Sequence, residues 1–131
     1  MTRERLNQYR YLQKEIEADT LRLRELRADA TAPAVAKITG LPNVKGFDSH
    51  VERYAVRIAE LEKVIADKIE RCIAERIAIE KWIADVPDSI TRQIITLRFV
   101  KGYSWVKVGC TLYMTRECAY KILERYLKQN K

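Results

Sequence analysis

The chain has 131 residues, a third of them charged and 47% hydrophobic, with four Gly, three Pro, one His and a formal net charge of +7. That composition describes a globular or coiled-coil protein, and it excludes a collagenous, low-complexity or strongly disordered one. No apolar stretch approaches the ~18–20 residues that cross a bilayer, and no signal peptide is visible at the start. The charge is uneven. Residues 87–131 carry nine Lys and Arg against three Asp and Glu, whereas residues 1–86 carry sixteen against fifteen. A positive field confined to one short segment predicts a phosphate-bearing partner.

The expected class is all-α. Residues 3–30 read as one helix, with Tyr9, Leu12, Ile16, Leu23, Leu26 and Ala30 on a 3-4 spacing that Asp19 interrupts. Pro33 ends it, and residues 31–47, rich in Pro and Gly, read as a loop. A second helix is expected from about Asp48. Ser49-His50-Val51-Glu52 has capping-box spacing there, which leaves His50 as a solvated residue beside the cap. Its apolar repeat runs Val51, Tyr54, Ile58, Leu61, Ile65, Cys72, Ile79 and Val86, widened by Ile69, Ile73 and Ile77. Helices this long need each other, a second copy of the chain, or both. Residues 1–87 are therefore expected to form a coiled-coil-like helical hairpin and an oligomerisation region, with a homodimer as the expected state.

A second domain is expected over residues 88–131. Asp88-Ser89-Ile90-Thr91 opens a third helix with Ile90, Ile94, Leu97 and Val100 inward, and Gly102 is placed to end it. Ser104 caps a short helix, Trp105 to Leu112. After a turn at Tyr113-Met114, Thr115 caps a last helix to about Leu127. Val108, Leu112, Met114, Ala119 and Ile122 have the spacing of two short helices packed across each other. Gly109 and Ala119 are small where the pair is closest. This is the register of a helix-turn-helix. Trp105, Tyr103 and Phe99 read as core residues.

The stretch from Ile95 to Leu127, ITLRFVKGYSWVKVGCTLYMTRECAYKILERYL, resembles region 4 of sigma-70-type factors. It is similar still more closely to small phage and prophage transcriptional regulators of the ArpU/RinA type. The resemblance covers residues 88–128 and extends to the rest only in layout. It implies a cytoplasmic regulator of phage type that binds double-stranded DNA without a cofactor and can also engage RNA polymerase. Three departures stand out. Val106-Lys107-Val108-Gly109 replaces an acidic residue and an Ile-Ala pair. Tyr113 stands where Gly is usual, so the turn is expected to differ locally. Glu117 brings a negative charge into the reading helix.

In such a fold the second helix enters the major groove by its N-terminal end. Its outward positions are Thr115, Arg116, Glu117, Tyr120, Lys121 and Glu124. The Arg116 fork matches guanine O6 and N7, and Glu117 can accept from cytosine. Tyr120 can meet a thymine methyl or a phosphate. Thr115, with the helix amides, is placed for a phosphate. Ser104, Lys107 and Lys121 are backbone-contact candidates, with Arg125 and Lys128 behind them.

No nucleophile–base pair, Gly-rich phosphate loop or HExxH motif occurs, so no enzyme is expected. Cys72, Cys110 and Cys118 lack metal-site spacing and read as reduced thiols on apolar faces. Two other classes compete. One is a packaging component of the small-terminase kind, which forms rings. The other is a helical interaction protein whose basic end meets an acidic partner.

Overall fold

The computed structural model describes residues 1–31 and 44–130. Among them the chain is all-helical, with no strand. The helices are α1 (Arg3–Thr31), α2 (Val44–Ala84), α3 (Ser89–Ile95), α4 (Trp105–Thr111) and α5 (Arg116–Gln129). A π-helical turn, Thr96–Val100, continues α3. No described helix is long and apolar enough to cross a membrane. Most of the segment read as the 31–47 loop lies outside the described residues. From Val44 the backbone is helical, so Ser49 sits inside α2 rather than at its cap. No proline follows Pro42 before Pro87, and the single Gly46 costs a helix only about 1 kcal/mol, so nothing delays helix initiation to Ser49.

By packing, the chain divides into two units, Met1–Gln13 with Arg71–Lys131, and Lys14–Glu70. In the second unit, α1 and α2 run antiparallel. Arg27 Nη2 lies 2.6 Å from Glu62 Oε1, and Lys68 Nζ lies 2.5 Å from Asp19 Oδ2. Leu23 and Ile65 are buried there. The interruption at Asp19 is therefore met by Lys68, a polar partner on the facing helix. Val51, Val56, Val64 and Ile69 are exposed.

The first unit holds the main core: Leu6, Tyr9, Ile79, Val86, Ile94, Ile95, Leu97, Phe99, Val108, Ala119 and Leu123. The first turns of α1 thus help to bury the C-terminal helices. Thr2 Oγ1 accepts from the Arg5 amide at the start of α1. Arg5 forms a two-bond pair with Glu75, Nε to Oε2 and Nη2 to Oε1, each 3.0 Å. That pair holds the Glu75 carboxyl below its ordinary value.

Several expectations are corrected in this unit. Ile90 is exposed, and Thr91, Ile94 and Ile95 are buried in its place. Asp88 Oδ2 accepts from the Thr91 amide and, at 2.6 Å, from its hydroxyl, which fixes the cap and turns position 90 outward. Ile73 and Ile77, which widen the apolar face of α2, are exposed in the single chain, where Ile79 and Val86 of the neighbouring stripe are the buried ones. Cys110 and Cys118 are exposed rather than set on packed faces, and Cys72 is half-buried. Leu123 is fully buried, while the expected Ile122 is only partly so.

Candidate functional site

The basic C-terminal segment builds its surface from α4 and α5. Each begins with a hydroxyl cap. Ser104 Oγ accepts from the Lys107 amide at 3.2 Å, and Thr115 Oγ1 from the Cys118 amide at 3.1 Å. Satisfying an otherwise unpaired amide in the first turn stabilises a short helix that propensity alone would leave marginal. Gly102, at φ +75, ends the preceding helical stretch, and the Tyr103 amide reaches back to Leu97 O at 2.9 Å.

Between α4 and α5 the chain turns in four residues, Leu112 to Thr115. The Leu112 amide bonds Val108 O and the Met114 amide bonds Gly109 O, at 3.1 and 2.8 Å. That pattern needs a left-handed residue before Met114, and Tyr113 supplies it at φ 56. The bulky residue thus adopts the left-handed conformation that the sequence reading counted against it. The ring is 97% exposed, so the left-handed backbone meets no steric block from neighbouring packing. Gly109 is required by what stands over it. A Cβ there would lie 2.5 Å from Met114 O and 3.1 Å from Arg116 N. Val108 and Ala119 fill the space between the two helices with no exposed surface.

The face of α5 away from this core carries the residues singled out by sequence. Arg116, Glu117, Tyr120, Lys121 and Arg125 are exposed, and Glu124 is half-buried. Positions 116, 117, 120, 121 and 124 share one side of a helix. Arg116 Nε donates to Glu117 Oε1 at 2.9 Å. That bond is the main reason the Glu117 carboxyl lies below its ordinary value. The acid therefore orients Arg116 as well as adding a negative charge. Glu124 pairs with Lys128 at 3.5 Å. Ser104 and Lys107 are exposed at the start of α4, and the Lys107 ammonium sits 4.0 Å from the centre of the Tyr103 ring.

Tyr120 is not a free side chain. Its hydroxyl accepts from Arg3 Nη1 at 2.6 Å, the Arg3 guanidinium stands 4.5 Å from the ring centre, and the Trp105 ring meets its edge at 5.4 Å. Trp105 in turn carries the Arg98 guanidinium at 4.9 Å. Sequence reasoning missed Arg3, Arg10 and Arg98. The only available signal was the seven-residue interval between Arg3 and Arg10, which puts both on one face of α1.

Compared with known protein families, curated proteins and solved structures, the chain matches none.

Proposed function

We propose that the chain is a sequence-specific DNA-binding transcriptional regulator of phage type. In this reading α4 and α5 form a sigma-region-4-like helix-turn-helix, and α5 enters the major groove from Thr115. The observation that carries the reading is the pairing of that face with its support. Arg116, Tyr120 and Lys121 lie on the outward side of a capped helix, in a segment with nine cations against three anions. Gly109 permits the close approach beneath it. Arg116 is the base reader, held by Glu117. Lys121, Lys107, Ser104, Arg125 and the Thr115 cap contact phosphates, which position the protein without reading sequence.

The long helices are the dimerising part. The exposed Ile73 and Ile77 of one unit, and Val56 and Val64 of the other, are apolar surface left for a second copy. A two-fold dimer reads half-sites about one helical turn apart. The regulator acts in the cytoplasm without a cofactor, and contact with RNA polymerase through the same C-terminal helices is part of the reading.

Selection from a library of genomic duplex fragments across a salt series tests it, with the Arg116→Ala/Lys121→Ala variant alongside. Selective binding that weakens steeply with salt and is lost in the variant supports the reading. Binding indifferent to sequence and to the substitutions refutes it. Solution mass on the same samples separates a dimer from the ring of a packaging protein.

A further inference from the structure

Three arginines of the first unit, Arg3, Arg10 and Arg98, lie near one another around two aromatic rings. Arg3 stacks on Tyr120, Tyr120 meets Trp105, and Trp105 lies under Arg98. Arg98 Nη1 donates to Tyr103 O at 3.0 Å. Burial, then the charge of Arg10, hold the Arg98 guanidinium below its ordinary value. Arg10 follows Arg3 by seven residues on α1, on the same face.

Among the described residues, the buried side-chain nitrogens and oxygens without a hydrogen-bond partner are Arg3 Nη2, Arg10 Nε and Arg98 Nε. No described carboxylate pairs with any of the three. Aromatic rings hold the guanidinia of Arg3 and Arg98, and the Tyr103 carbonyl also holds Arg98, without a carboxylate partner among the described residues. Like charges gathered without an anion repel, and an oxyanion held at the exposed edges of these half-buried side chains removes that repulsion, even though the buried nitrogens stay out of its reach.

We propose that Arg3, Arg10 and Arg98 form a second binding surface that takes the phosphates of a DNA backbone flanking the groove read by α5. The proposal rests on the DNA-binding reading of α5. The cluster borders that helix directly, because Arg3 bonds to Tyr120 on its outward face. Arg3 and Arg10 are about 10.5 Å apart along α1 at 1.5 Å per residue, the axial length of about three nucleotides of one strand. The first two turns of α1 thus act as a clamp beside the reading helix. They add affinity common to every sequence.

The test measures duplex affinity of the full chain against salt for Arg3→Gln, Arg10→Gln and a control, Arg24→Gln, which removes the same charge from the exposed part of α1. Loss of one phosphate contact flattens the log–log slope by about 0.9. Arg10→Gln is expected to show that change equally on selected and unselected duplexes, with the thermal midpoint of the free protein unchanged or raised. Arg24→Gln is expected to keep the wild-type slope. Wild-type slopes in both Arg3→Gln and Arg10→Gln, with the wild type binding normally, overturn the clamp and leave the α5 reading standing. A wild type that binds no duplex at any salt overturns both. A lowered midpoint with an unchanged slope shows a packing role and overturns the clamp.

Discussion

The carbonyl of Gly109 accepts the Met114 amide at 2.8 Å, and the carbonyl of Met114 stands 2.5 Å from where a Gly109 side chain would begin. The same pair of residues therefore closes α4 and forbids any larger residue at 109. The obstruction is backbone, which cannot swing aside as a flexible side chain can. Gly109→Ala is expected to cost about 1–3 kcal/mol, the usual range for overpacking, and towards the upper end of it. Urea unfolding measures this. A stability equal to wild type would show that the approach is looser than described.

Tyr113 carries a left-handed backbone with a fully solvated ring. An L-residue pays roughly 1–2 kcal/mol for that conformation, and glycine does not, although glycine loses more freedom on folding. Tyr113→Gly is thus expected to stabilise the protein by about 0.5–1 kcal/mol, with Tyr113→Asn between the two. The thermal midpoints should rank Gly above Asn above Tyr. The reverse order would mean that the ring makes a contact that outweighs the backbone strain.

Asp19 and Lys68 leave only 19% and 20% of their side chains exposed. Removing one partner strands a partly desolvated charge. Asp19→Ala is expected to cost about 1–3 kcal/mol, between the values for exposed and fully buried pairs. Replacing both, as Asp19→Leu with Lys68→Met, should restore wild-type stability or exceed it. A double variant as weak as the single one would contradict this.

Asp88 gives the protein's stability a pH signature. The Thr91 hydroxyl is the main cause that holds its carboxyl below the ordinary value, helped by the Thr91 and Ile90 amides and the Arg92 charge. A depressed folded value means that the charged cap stabilises above the ordinary carboxylate range and loses that effect as pH falls through the lowered value. Asn can still accept at the cap but cannot ionise. Wild type should therefore exceed Asp88→Asn in stability at neutral pH, and the gap should close in acid. Because the group is solvated, added salt should narrow the gap too. A gap constant with pH would remove the charge from the explanation.

The caps at Ser104 and Thr115, the glycine at 109 and the outward face of α5 were legible because each depends on neighbours within a few residues. Local rules cover that range. Ile90 was misplaced because the Asp88–Thr91 cap sets which side of α3 faces inward. The π turn that follows, with the Lys101 amide bonded to Thr96 O, breaks the 3.6-residue rhythm on which such patterns rest. The Arg3–Tyr120 bond joins residues 117 apart in sequence, so no local pattern encodes it. Leu6 lies three residues before Tyr9 and extends the same rhythm, yet its burial against the C-terminal core is a tertiary fact.

Amide chemical-shift mapping on adding a selected duplex shows whether the outward face of α5 reads DNA. Shifts and line broadening are expected to concentrate at Ser104, Lys107 and residues 115–121, with Arg116 and Lys121 foremost and Val56 and Val64 silent. Shifts absent from α5 and gathered instead on α2 would contradict that reading.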